Sequence, residues 1–190
     1  NESVRITSFT VVQDHKEVTK ETRVIIEKNK HLLIVGPNGI GKSTFIESLI
    51  NGTAKGVTIS PGVRIGTYRQ DFSSLNPEET VYESLSRTMK EATGKIYEQE
   101  IRIVASGFLI TNEYIHAKIG KLSEGQKGLV SFAQLVLQKP GLLILDEPTN
   151  HINFRHLPKI AHALDEYKGM MIFVSHVSEF VAQIRIDEVL

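Results

Sequence analysis

Cysteine is missing from all 190 residues, which excludes a disulfide-stapled scaffold and any metal site built on thiolates. No apolar run approaches the ~20 residues that a membrane-crossing helix needs. No secretory leader opens the chain, so the expected compartment is the cytoplasm. Neither sign of charge is in excess, with 22 Lys and Arg against 22 Asp and Glu. A balanced chain does not grip nucleic acid through a general field, although a local basic patch stays open. Internal repeats and low-complexity segments are also lacking. What is present suits a packed domain: apolar residues make up 41%, enough for a sizeable core, and the length fits one domain with room for an inserted subdomain. The chain opens on Asn1 and stops at Leu190 inside a strand-like stretch, so both ends read as cut from something longer.

The most informative stretch is Gly36-Pro37-Asn38-Gly39-Ile40-Gly41-Lys42-Ser43-Thr44, which matches the phosphate-binding pattern G-x-x-x-x-G-K-[ST]. The apolar run at residues 31–35 precedes it as a buried parallel strand. Phe45, Ile46, Leu49 and Ile50 follow at helical spacing. Glycines let successive backbone N–H groups wrap a phosphate chain closely. The helix that follows points unpaired amides and its positive dipole end at the same anion. Lys42 adds a point charge for the β- and γ-phosphates, and Ser43 offers a hydroxyl to Mg²⁺. A plain glycine turn between strand and helix would need none of these residues. The stretch binds a nucleotide.

Elsewhere, residues 1–30 read as two or three strands, with a polar segment from Gln13 to Arg23 between the apolar ones. Asn51-Gly52 closes the phosphate-loop helix. Residues 57–59 and 63–68 make short strands, the second delivering Gln70. Residues 71–121 have a different texture: a helix start at Pro77-Glu78-Glu79-Thr80, a face of Val81, Leu85 and Met89, and a second helical run over 98–109. We expect an inserted helical subdomain there. Leu129, Phe132, Ala133, Val136 and Leu137 then predict an amphipathic helix, stopped by Lys139-Pro140-Gly141. Residues 142–145 form an apolar strand, Leu157, Ile160, Ala161 and Leu164 another helix face, and 170–174 a further buried strand ending in Ser175-His176. Alternating apolar strands and helices predict an α/β fold, a mostly parallel sheet covered on both faces.

Asp146 and Glu147 sit at the C-terminal end of a hydrophobic strand, where open α/β sheets place ligands. The first suits Mg²⁺ or its waters, and the second can polarise an attacking water. Leu122-Ser123-Glu124-Gly125-Gln126 reads first as a capping box, Ser123 with Gln126. The same arrangement offers amides at a helix N-terminus to an anion. His176, taken alone, reads as an edge residue after a strand.

Together, the phosphate loop, Gln70, residues 122–126 (similar to the LSGGQ signature), residues 142–147 and His176 occur in the order of an ATP-binding cassette (ABC) ATPase. The resemblance covers nearly the whole chain. It implies a P-loop NTPase fold of ABC type with an N-terminal antiparallel β portion. Residues 1–190 would be a single cassette, with a nucleotide-binding core at 1–70 and 122–190 and a helical subdomain at 71–121. It implies ATP and Mg²⁺ as ligands. Gln70 would touch Mg²⁺ and water, joining core to subdomain, and His176 would contact the γ-phosphate. Ser123, Gly125 and Gln126 would cap the ATP of a second cassette, in tandem or as a homodimer. Glu147-Pro148-Thr149-Asn150-His151 and the region after Phe173 look most like the ABC-F subfamily, soluble tandem cassettes that act on ribosomes in translation or antibiotic protection. The alternatives are the ATPase subunit of a membrane transporter, docked to transmembrane chains, and a switch that closes on ATP with little hydrolysis.

Three positions depart from the family pattern. Glu124 stands where glycine is usual, altering phosphate approach. Asn153 stands where an aspartate usually couples the two sites. No aromatic for stacking on adenine is evident near Val12, Gln13 and Asp14, leaving Phe9 or His15 as substitutes, so preference for ATP over GTP rests on the resemblance.

Overall fold

A computed structural model describes residues 2–37, 39–68, 71–150 and 152–190. The N-terminal part is a long antiparallel hairpin, β1 (Ser3–Gln13) against β2 (Lys16–Glu27). Its two-residue turn holds Asp14 and His15 at φ 51° and 62°, the left-handed geometry that matches the twist of a tight hairpin. The polar segment expected to separate strands is therefore mostly strand. It is polar because β2 is the edge of a three-stranded sheet ordered β2-β1-β4, with β4 at Val57–Ile59, and a charged edge resists pairing with other chains.

The second sheet is ordered β5-β6-β7-β3-β8 and its pairings are parallel: β5 (Ile65–Thr67), β6 (Leu142–Asp146), β7 (Met170–Val174), β3 (His31–Leu33) and β8 (Glu188–Val189). The central strands are apolar throughout because both faces are covered. Along β6, Leu142 and Ile144 join the core beneath the hairpin and α1 (Lys42–Asn51), whereas Leu143 and Leu145 join the core beneath the remaining helices. The expected strand over 31–35 is shorter as a ladder, but Ile34 N still donates to Phe173 O at 3.0 Å. The 63–68 strand likewise contracts to Ile65–Thr67.

Residues 71–121 contain α2 (Val81–Thr93) and α3 (Glu98–Gly107). Thr80 caps α2 in a reciprocal capping box with Glu83, and Val81, Leu85 and Met89 are fully buried on its inner face. Helix α4 (Glu124–Leu137) differs from the amphipathic expectation: every residue from Gly128 to Leu135 is buried, while Val136 is only half-buried. The helix is covered by the sheet on one side and by α2 and α3 on others, leaving it little solvent face. Its interior polar group Gln134 is accordingly satisfied, donating to Ser84 Oγ at 2.6 Å. Helices α5 (Leu157–Asp165) and α6 (Ser178–Val181) complete the layer, α5 burying Leu157, Ile160, Ala161 and Leu164 as its spacing predicts.

Candidate nucleotide site

Three parallel strands that are neighbours in space but not in sequence end side by side. Leu33 of β3 pairs with Phe173 of β7, and Asp146 of β6 pairs with Val174. The loops after β3, β6 and β7 therefore emerge together at the carboxyl edge, the usual ligand edge of an open α/β sheet.

After β3 the chain forms the glycine loop. Gly36, Gly39 and Gly41 have φ of 151°, 84° and 104°, a region that side chains rarely tolerate. Ile40 N donates to Pro37 O at 3.3 Å, and Ile40 O accepts from Val12 N at 2.9 Å, which ties the loop to the hairpin. Helix α1 begins at Lys42 without a side-chain cap or an acidic residue in its first turn, so its first amides and dipole are available to an anion. Lys42 Nζ donates to Gly36 O. Asn38 and Gln70 lie outside the described residues.

After β6, Asp146 Oδ2 accepts from Ser43 Oγ at 3.0 Å. Glu147 sits at φ 47°, an uncommon conformation for a residue with a Cβ and one found at functional sites. It is fixed by Glu147 N donating to Val174 O at 2.8 Å. After β7, His176 Nε2 lies 3.2 Å from Lys42 Nζ and 3.2 Å from Glu147 Oε1, while His176 N donates to Glu147 Oε2 at 3.3 Å. Lys42, Ser43, Asp146, Glu147 and His176 thus lie together at one edge of the sheet, with His176 reaching Lys42 and Glu147 from the end of β7. The hydroxyl and carboxylate of Ser43 and Asp146 are hard oxygen donors of the kind Mg²⁺ prefers. Among the described residues no group of three or more His, Cys, Asp or Glu could hold a metal ion.

Ser123 and Gln126 stand apart from this cluster. They complete the expected capping box, Ser123 N donating to Gln126 Oε1 at 3.0 Å and Gln126 N to Ser123 Oγ at 3.2 Å. Gly125 lies in the same first turn of α4. Sequence reasoning missed a cavity of about 330 Å³ that adjoins the phosphate loop, where Gly41 and Thr44 meet Thr10, Val12, Glu17 and Thr19 of the hairpin. Only the hairpin's register brings those residues to the loop. Phe9 lines a neighbouring cavity instead.

The sequence pattern of the ABC transporter family matches residues 19–150. This chain belongs to the ABC family of ATP-binding cassettes. The cassette is 35% identical over 178 residues to the probable ATP-binding protein YbiT of Escherichia coli O157:H7, covering 90% of this chain and 32% of the relative. It is 34% identical to the putative ATP-binding protein YdiF of Bacillus subtilis, covering 97% and 29%, and 35% identical to ABC transporter F family member 4 of Arabidopsis thaliana, covering 86% and 23%. The cassette thus spans about a third or less of the length of these relatives. Its fold is that of a putative ABC transporter ATP-binding protein from Pyrococcus furiosus, with a TM-score of 0.77 at 22% identity over 98% of this chain and 96% of that one. Among the described residues no helix is long and apolar enough to cross a membrane.

Proposed function

We propose that this cassette binds and hydrolyses ATP as half of a cassette pair, in a protein of ABC-F type. The observation that carries the reading is the meeting of Lys42, Ser43, Asp146, Glu147 and His176 at the ends of β3, β6 and β7. The amides of residues 36–44 and the start of α1 hold the phosphate chain, with Lys42 at the β- and γ-phosphates. The purine occupies the cavity between Val12 and Thr44. Ser43 and Asp146 would hold Mg²⁺, with Gln70 assigned to the same ion by the family pattern, and the ion would supply neutralisation of charge on the phosphate oxygens. Glu147 orients and deprotonates the attacking water, and His176 reaches the γ-phosphate. Nucleotide binding must first part Lys42 from His176, because a γ-phosphate bound to both nitrogens would lie between them.

Residues 71–121 serve as the helical subdomain, and Ser123, Gly125 and Gln126 close over the nucleotide of the second cassette. The likeness to ABC transporter F family members supports the ABC-F type. On that reading the whole is a soluble tandem protein in the cytoplasm that acts on ribosomes, in translation or antibiotic protection, with the motor of a transmembrane transporter as the alternative. Glu147→Gln tests the chemistry: the amide keeps shape and hydrogen bonding but cannot take a proton. ATP should still bind while turnover falls by roughly 10²–10⁴. Native turnover in that variant would place the base elsewhere. Cosedimentation of the full-length variant with ribosomes in the presence of ATP tests the partner.

A further inference from the structure

Glycine in a helix interior is unfavourable unless space demands it. Gly128 lies on the fifth position of α4, buried, in ordinary helical conformation. A Cβ there would stand 3.0 Å from Tyr68 Oη, 3.1 Å from Ile152 Cδ1 and 4.0 Å from Phe72 Cε1, tighter than van der Waals contact at the first two. These neighbours come from different segments. Tyr68 ends the stretch after β5, its N donating to Ile144 O at 3.4 Å, and it stands two residues before Gln70. Ile152 follows Asp146 and Glu147 along the loop from β6. Gly128 itself is two residues beyond Gln126. Tyr68 has little freedom to retreat, for its ring stacks on Phe132 at 4.4 Å and 13°, one helical turn further along α4. Burial pushes its phenol up to about 12, so the group remains a neutral hydroxyl.

We infer that Gly128 is a positioning residue for hydrolysis: its missing side chain lets Tyr68, just before Gln70 in the chain, and Ile152, on the loop after Glu147, close together on the helix that starts at the signature. Any movement of α4 is then felt at once by both segments. The inference rests on the proposed ATPase reading and concerns how its parts are held in register.

The test is Gly128→Ala in the full-length protein. The added methyl displaces Tyr68 or Ile152 by tenths of an ångström, so kcat for ATP should fall about tenfold with KM held within about twofold. Adding Tyr68→Phe, which deletes the oxygen the methyl meets, or Ile152→Val, which deletes the Cδ1, should restore kcat. Such recovery is not expected from a helix that is merely damaged. Unchanged kcat in Gly128→Ala, a loss carried by KM, or a loss that neither second change restores would overturn the inference. Lys42→Ala run in parallel separates the two levels. If it abolishes tight ATP binding while Gly128→Ala is silent, the positioning role alone has failed. If Lys42→Ala is silent too, the nucleotide site itself has been misread.

Discussion

At the scale of single residues, the cavity proposed for the base is the least usual part of the site. Val12 is 40% exposed and borders the cavity beside Gly41 and Thr44, with Glu17 directly across the hairpin. An aliphatic wall offers contact area but no π-face. Stacking a base on an aromatic ring contributes about 1–3 kcal/mol, so Val12→Trp should tighten both ATP and GTP by about tenfold or more. Because every purine has a π-face, the gain should be similar for the two nucleotides. Titration with a fluorescent ATP and competition by GTP would measure it, and an unchanged affinity would move the base out of this cavity. The chemical end contrasts with this. Lys42, Ser43, Asp146 and Glu147 were picked out by motif and strand position and His176 only by the family resemblance, and their side chains converge within hydrogen-bonding distance.

At the scale of elements, the sheet is closed at its far edge by a polar tie. His31 opens β3 and is fully buried. Its Nδ1 lies 2.8 Å from Arg185 O and 3.7 Å from Asp165 Oδ1, and its backbone N donates to Asp187 Oδ2 at 2.9 Å. The segment leading into β8 is thereby fastened to β3 and α5. Burial, the largest influence, together with the Arg185 guanidinium holds the His31 imidazole below its usual pKa, against the raising influence of the Arg185 carbonyl and the two carboxylates. The folded protein therefore prefers neutral His31, and the unfolded chain binds the proton more readily. This contribution to stability is complete above about pH 6.5 and is lost as the pH falls through that value toward the lower folded pKa. Urea unfolding between about pH 7.5 and about pH 5.5 should show the decline, at most about 1.4 kcal/mol per pH unit from one group. His31→Asn keeps a donor near Nδ1 but cannot titrate, so its curve should be flatter. An equal slope in the variant would assign the decline to other groups.

At the scale of the whole molecule, the phosphate loop and the start of α4 are separate features of one cassette. Ser123 and Gln126 satisfy each other, and Glu124 places a carboxylate in the first turn of α4, so an anion there gains from the helix dipole against that charge. The γ-phosphate on a second cassette is the expected partner. If the full-length protein pairs two cassettes as proposed, its sedimentation with Glu147→Gln in place should show a more compact, closed form with ATP. Ser123→Arg should prevent closure through bulk at the phosphate contact while this cassette's own ATP remains bound. Ser123→Ala removes the same cap, costing about 1 kcal/mol of helix stability, without adding bulk, and should still close. Equal closure in the arginine variant would leave residues 122–126 as a helix cap alone.

The sequence by itself determined whatever depends on neighbours a few residues apart: the glycine loop between strand and helix, the helix start at residues 77–80, the capping box at Ser123, and the apolar strands that require covered faces. Each is set by local backbone geometry and by side-chain period, which a linear reading captures. Tertiary structure alone decided that β6 and β7 lie between β5 and β3, and hence that His176 touches both Lys42 and Glu147. It also decided that the polar stretch after Gln13 is an edge strand, that α4 is buried on nearly every side, and that Tyr68, Gly128 and Ile152 meet. These outcomes follow from which surfaces must be covered once the sheet is assembled. That is a property of the packed whole, because strand order in the sheet joins residues 134 positions apart, Lys42 and His176, whose own neighbours in the chain do not show that the two meet.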